Sequence, residues 1–196
     1  MEEAFLKFLR EASVRPIWSA FLQGFYFRRV FDDALKQAVE TELDSEVLDS
    51  RTVILRGQNG TGKTVSLCHL AMEIKRGLKY PVIFIPRETT PDAAVLDRFI
   101  SWLENRLGAE RTVIIWDMGA YRSEIYEMVT LQRTLNHGGR KVLVVGSSYA
   151  NGEEPKNAVF IDIAPEIDPE REIPALREVL QRINSAYVHR LDSALP

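Results

Sequence analysis

The sequence predicts an α/β fold built on a parallel sheet, and three observations carry that prediction. From Arg51 onward, five short apolar runs alternate with amphipathic helical stretches, the order that a parallel sheet with crossover helices requires. Each run is apolar on both faces, as in strands covered by helices on two sides. A glycine-rich loop joins the first run to the helical stretch after it. Of the 196 residues, 45% are hydrophobic and 27% charged, ordinary for one globular domain that buries its own core.

Residues 1–50 read as a helical lead-in to a domain spanning 51–196. Ala4, Phe5, Phe8 and Leu9 recur at helical spacing, and Phe31, Leu35 and Val39 do so again. An aromatic stretch from Trp18 to Arg29 lies between them. From Gln37 to Ser50 there is no Lys or Arg, while Glu40, Glu42, Asp44, Glu46 and Asp49 fall inside, so the last lead-in helix is expected to end in a solvated acidic face. The strand candidates are 52–55, 81–85 (stopped by Pro86), 112–116, 142–145 and 158–161. Helices are expected over about 63–76, 92–107 and 122–136. Pro91-Asp92 and Gly108 bracket the middle one in the usual start and stop order. Leu176, Leu180, Ile183, Tyr187 and Leu191 continue at i+3 or i+4, which predicts one last helix.

Charge and composition exclude several classes. The chain has 28 acidic and 25 basic residues, a net charge of -3, and a pI near 5.7. A non-specific nucleic-acid binder carries a basic excess, so nucleic acid is not an expected partner. The single cysteine, Cys68, excludes an intrachain disulfide and a Cys-rich zinc module and reads as a small core residue. Met1-Glu2-Glu3-Ala4 lacks the basic and apolar regions of a signal peptide. No apolar run approaches the roughly 18 residues of a membrane span, so a cytoplasmic chain with no membrane partner is expected.

Directly after the first strand, Gly57-Gln58-Asn59-Gly60-Thr61-Gly62-Lys63-Thr64 fits G-x-x-x-x-G-K-[ST] without a mismatch, with Val65 next. The glycines let the backbone turn tightly and aim N–H groups at phosphate oxygens, and the following helix adds its N-terminal dipole. Lys63 would reach the β- and γ-phosphates, and the Thr64 hydroxyl would bind magnesium. The third strand ends in Asp117, the place for a carboxylate that holds magnesium. The fourth ends in Gly146-Ser147-Ser148-Tyr149. Either serine, Ser147 first, could bond the γ-phosphate or the attacking water, or simply belong to a turn. That polar end, at the edge where ligands bind, places the fourth strand between the first and third.

These features resemble the P-loop NTPases that insert an additional strand between the phosphate loop and the Walker B strand, among them AAA+ and STAND proteins. The chain looks most like the STAND signalling and defence ATPases, relatives of NACHT and NB-ARC proteins. The likeness rests on Gly57–Thr64, on Ile114-Ile115-Trp116-Asp117 and on the polar end of the fourth strand. STAND proteins often carry an aromatic-glycine-arginine stretch and an acidic amphipathic helix before the loop. Phe25-Tyr26-Phe27-Arg28-Arg29, leading into Phe31-Asp32-Asp33-Ala34-Leu35, is similar. Pro16-Ile17-Trp18 and Gly24 resemble the segment joining sirtuin-like effector domains to bacterial STAND ATPases in phage defence. The likeness spans residues 16 to about 183.

It implies a three-layer P-loop domain with strand order 5-1-4-3-2. It also implies Mg-ATP as ligand, ADP as the alternative state, and a nucleotide-dependent switch in a homo-oligomer or a larger assembly with an effector. This sequence departs from the family in two places. Met118-Gly119-Ala120-Tyr121 supplies no acid after Asp117 until Glu124, so slow hydrolysis is expected from the chain alone. The fourth strand ends without the arginine common there. The chain also lacks room for winged-helix and sensor regions, the expectation for an excised fragment or a stripped-down relative.

Other residues carry two readings each. Arg28 or Arg29 could line the nucleotide, with Phe25 and Phe27 in contact, or lie on the surface beside core aromatics. Arg87 and Glu88, at the carboxyl edge of the second strand, could sense nucleotide or a neighbouring subunit, or form a charged loop. His69, His137 and His189 have no partner at metal-ligand spacing. The rival functions are a nucleotide-kinase type phosphotransferase and an ATP-driven nucleic-acid motor. The scatter of Arg87, Arg98, Arg106 and Arg122 counts against the first, and the missing basic stretch against the second. No Asn-Lys-x-Asp run is present, which favours ATP over GTP.

Overall fold

Five strands, β1 (Thr52–Arg56), β2 (Val82–Ile85), β3 (Thr112–Trp116), β4 (Val142–Ser148) and β5 (Ala158–Asp162), form one parallel sheet in the order β2-β3-β4-β1-β5. The computed structural model describes residues 1–12, 15–78, 80–117, 123–149 and 154–194. The order is the predicted 5-1-4-3-2, with β4 between β1 and β3. β4 runs three residues further than its apolar run, because backbone pairing continues as Leu55 faces Ser147 and Arg56 faces Ser148. Gly146 permits this: a Cβ there would lie 2.2 Å from Met128 Sδ. β1, β3 and β4 are buried, whereas the edge strands β2 and β5 are largely half-buried.

The helices are α1 (Glu2–Glu11), α2 (Trp18–Leu22), α3 (Val30–Asp44), α4 (Lys63–Glu73), α5 (Ala93–Leu107), α6 (Ser123–His137), α7 (Glu172–Ile183) and α8 (Ser185–Ala194). Alternating strand residues build two cores. Val53, Leu55, Val113, Ile115, Leu143 and Val145 pack against Phe31, Leu35 and Val39 of α3 and Leu67 and Leu70 of α4. Ile54, Ile114, Val142 and Val144 pack on the other face against Ile100 of α5 and Met128 and Leu135 of α6. Each fully buried Leu or Ile contributes roughly 1.5–3 kcal/mol, so both layers hold the sheet. A third cluster joins Phe5 and Phe8 of α1, Phe21 of α2, Phe25, Cys68 of α4 and Val179 of α7. Burial raises the Cys68 thiol pKa. No helix among the described residues is long and apolar enough to cross a membrane.

Asp92 caps α5 by accepting from the Ala94 and Val95 amides, and Gly108 ends it in the left-handed region, as its sequence predicts. Four expectations need correction. The periodicity from Leu176 to Leu191 is two helices. Asn184 is extended between α7 and α8, and its Oδ1 accepts from the Ala186 amide to start the second. α4 ends at Glu73 and relaxes into a π-helical turn over Ile74–Leu78. Leu9 is 59% exposed, so its spacing with Phe5 and Phe8 does not bury it. Glu42 is buried within the acidic run, accepting from the Arg51 amide at 2.6 Å and from its Nη2 at 2.7 Å.

Candidate functional site

The loop leaves β1 at Gly57 and enters α4 at Lys63, at the carboxyl edge of the sheet. The tight turn requires its glycines. Gly60 and Gly62 have φ of +80° and +89°, a region that costs other residues about 1–2 kcal/mol. A Cβ on Gly57 would come within 2.9 Å of Ile163. Thr61 Oγ1 donates to the Gln58 carbonyl at 2.8 Å, closing the turn.

Lys63 is buried, and its Nζ donates to the Gly57 and Gln58 carbonyls at 2.7 Å each. The Tyr149 ring lies 4.1 Å from that ammonium, and the Tyr149 hydroxyl donates to Asn59 Oδ1 at 3.2 Å. Burial, then the charge of Arg87, pull the ammonium down to about 8 against the opposing pull of Asp117. The loop thus holds this cation with its own carbonyls and the Tyr149 ring.

Asp117 joins the remaining polar groups. Thr64 Oγ1 donates to Asp117 Oδ2 at 2.8 Å, and Ser147 Oγ donates to Asp117 Oδ1 at 2.9 Å. All three residues are buried. This contact exists because β4 lies between β1 and β3, so its polar end falls beside both the loop and the Asp117 strand. Thr64 and Asp117 offer hard oxygen donors 2.8 Å apart, and no cluster of three metal-binding side chains exists among the described residues. That donor set suits magnesium, which keeps several waters and is held by one or two protein oxygens plus substrate phosphates.

A cavity of about 490 Å³ opens over the loop. Asn59, Gly60, Gly62, Lys63, Thr64 and Val65 line its polar end, and Phe5, Phe8, Phe25, Phe27 and Leu176 its apolar end. Gly57, Gln58, Thr61, Asp117 and Ser147 are not on its wall; the last two stand behind Thr64. Arg29 is on the wall, whereas Arg28 pairs with Asp33 at the surface. Arg29 Nη1 donates to the Thr61 carbonyl at 3.2 Å. His69 stacks on Tyr26 at 4.2 Å, and burial lowers its pKa.

Two contributors have no site signal in the sequence, and a third, Arg87, carries two readings there. The α1 aromatics on the cavity wall carry no local signal, because helical spacing reports only a buried face. Tyr149 was read as a strand end, and Arg87 as one of two alternatives. Met118, Gly119, Ala120 and Tyr121, with the missing acid they imply, lie outside the described residues, as does the Glu124 side chain.

A family model described as Novel STAND NTPase 5 matches residues 7–158. No curated protein matches the chain. Among solved structures, that of C. elegans PCH-2 is similar with a TM-score of 0.46 and 14% identity, covering 85% of this chain and 51% of that one. The chain therefore spans about half the length of that protein.

Proposed function

The chain belongs to the Novel STAND NTPase 5 family, and from that premise we propose that it binds Mg-ATP at the Gly57–Thr64 loop and works as a slow, nucleotide-controlled switch. The observation that carries the reading is the convergence of Thr64, Asp117 and Ser147 beside Lys63 at the carboxyl edge of the sheet. The family supports nucleotide binding; the identity of the nucleotide, the metal and the rate are inferred from these residues.

In this reading the phosphates enter over Gly60 and Gly62, where the loop N–H groups and the α4 dipole favour negative charge. Lys63 moves its bonds from the Gly57 and Gln58 carbonyls to phosphate oxygens. Magnesium bound with the phosphates would neutralise their charge; Thr64 and Asp117 would hold it, and Ser147 would fix the Asp117 carboxylate. The apolar end, with Phe25 and Phe27, would take the base by contact. Arg29 would steady the Thr61 turn beneath.

Slow hydrolysis is inferred from the sequence, in which Met118-Gly119-Ala120-Tyr121 supplies no acid after Asp117. General-base help is typically worth ~10²–10⁴-fold, and an arginine supplied in trans ~10³–10⁵-fold. Assembly with a second copy or an effector would therefore be the natural way to speed turnover, and nucleotide state would bias that assembly. A role in antiviral defence is the setting such a switch suits. The nucleotide-kinase alternative needs β1 and β3 as neighbours, and here β4 separates them.

Steady-state phosphate release with magnesium, across a wide protein concentration range, tests the reading. Turnover per chain well below the ~1–10³ s⁻¹ of typical enzymes, rising with concentration, is expected. Fast turnover independent of concentration would make the chain an ordinary ATPase.

A further inference from the structure

Arg87 is a cation on the cavity wall with no hydrogen bond or ion pair among the described residues. It follows β2 and Pro86, and lines the same cavity as Lys63, Thr64 and Tyr149. Three cations reach that wall, Arg29, Lys63 and Arg87, with no carboxylate among the described lining residues. Arg29 is matched by Glu172 at 2.8 Å. Lys63 is held by two loop carbonyls. Arg87 Nε is buried and has no hydrogen-bond partner among the described residues. A buried guanidinium N–H left unpaired costs free energy, so the free site is incomplete.

The backbone holds Arg87 in place. Ile85, two residues before it, accepts from the Asp117 amide at 3.0 Å, which puts the end of β2 beside the Asp117 backbone. A turn follows, with the Thr89 amide donating to the Pro86 carbonyl at 3.2 Å. Glu88 inside that turn has φ of +70°, the single non-glycine positive φ among the described residues. Strain of this kind persists where the surroundings enforce it, and it clusters at ligand sites. The Arg87 charge also helps depress the Lys63 ammonium, with the Asp117 carboxylate opposing, so the two cations lie within electrostatic reach of each other.

We propose that Arg87 binds the terminal phosphate of a nucleoside triphosphate, so that this site distinguishes the triphosphate from the diphosphate. The inference rests on the nucleotide-site reading above and adds to it the residue that reads the phosphate count. Arg87 follows β2, which pairs with the Asp117 strand on the flank away from the loop strand. The γ-phosphate and its magnesium would lie toward Asp117 when Lys63 bridges the last two phosphates. A planar guanidinium suits that role, since its fork pairs two phosphate oxygens at once. β4 ends in Ser147-Ser148, with Tyr149 next, and offers no arginine there; the turn after β2 supplies one from the other flank of β3.

The test is calorimetric binding of ADP and of a non-hydrolysable ATP analogue, with magnesium, to the wild type, Arg87→Ala and Arg87→Lys. Arg87→Ala is expected to weaken the triphosphate analogue by about 10- to 100-fold, the worth of charged hydrogen bonds, and to leave ADP within roughly twofold. Arg87→Lys keeps the charge without the fork and should fall between. Thermal melting of the Arg87→Ala protein without nucleotide should match wild type, because Arg87 makes no hydrogen bond or ion pair among the described residues. Equal loss for both nucleotides, loss for neither, or a melting temperature well below wild type would each overturn the assignment. If the wild type binds ADP and only the Arg87 pattern fails, the nucleotide site stands without this residue. If the wild type binds neither nucleotide, both readings fall together.

Discussion

Arg29 Nε donates to Glu172 Oε1 at 2.8 Å, tying the residue before α3 to the first residue of α7 across 143 positions of chain. The same carboxylate accepts from the Val30 amide at 2.9 Å, and the same guanidinium reaches the Thr61 carbonyl of the phosphate loop. One ion pair therefore connects the lead-in, the loop and the C-terminal helices.

Glu172→Ala should be strongly destabilising. The side chains of the pair are 14% and 3% exposed, and removing one partner of a buried pair costs about 3–5 kcal/mol because the other charge is left unpaired. The Val30 amide loses its acceptor as well. Glu172→Gln keeps an acceptor oxygen and should cost less. Urea unfolding of the three proteins checks the order; equal midpoints would mean the bridge carries no stability.

Asp117→Asn tests the metal assignment. An asparagine can still meet Thr64 and Ser147, so the fold should survive. The magnesium affinity of the nucleotide complex is expected to fall ~10–100-fold, as for lost ligand-orienting groups. Nucleotide titrations with magnesium and with EDTA read this directly. A variant that keeps the full magnesium effect would remove Asp117 from the metal site.

Asp32 predicts a pH dependence. Its Oδ2 accepts from the Tyr26 hydroxyl and from the Arg29 amide, while Oδ1 is buried without a partner among the described residues. Burial raises its carboxyl above the ordinary 3.8, with those hydrogen bonds opposing. A raised folded pKa gives stability that is fully present below the unfolded value and lost as pH rises through the folded one. Asparagine does not titrate and accepts the same bonds. The stability of Asp32→Asn relative to wild type should therefore improve as pH rises from about 3 toward neutrality. Urea midpoints across that range measure it, and a difference flat in pH would show that burial does not perturb Asp32.

Local pattern made much of this architecture readable. The strands announce themselves because β1, β3 and β4 are buried on both faces, and Gly57–Thr64 because phosphate binding needs glycines at fixed spacing. The order of β4 was legible too, because Ser147 gives an apolar strand a polar end at the edge where ligands bind, although a turn explains either serine as well. What stayed hidden depends on distant chain. The break at Asn184 interrupts a periodicity that runs on unbroken in sequence, and Glu42 is buried only because Arg51 folds back over it. Arg87 looks like a loop charge until the fold sets it on the same cavity wall as Lys63.

The most direct test of the nucleotide site is a calorimetric titration of Mg-ATP into the wild type and into Lys63→Ala. Lys63 bonds only to loop carbonyls among the described residues, so its loss should leave thermal melting nearly unchanged. Saturable binding of one nucleotide per wild-type chain is expected, with affinity reduced on the order of 100-fold or more in the variant as its charged phosphate contacts vanish. Equal affinity in the two proteins, or no binding to the wild type, would contradict the account.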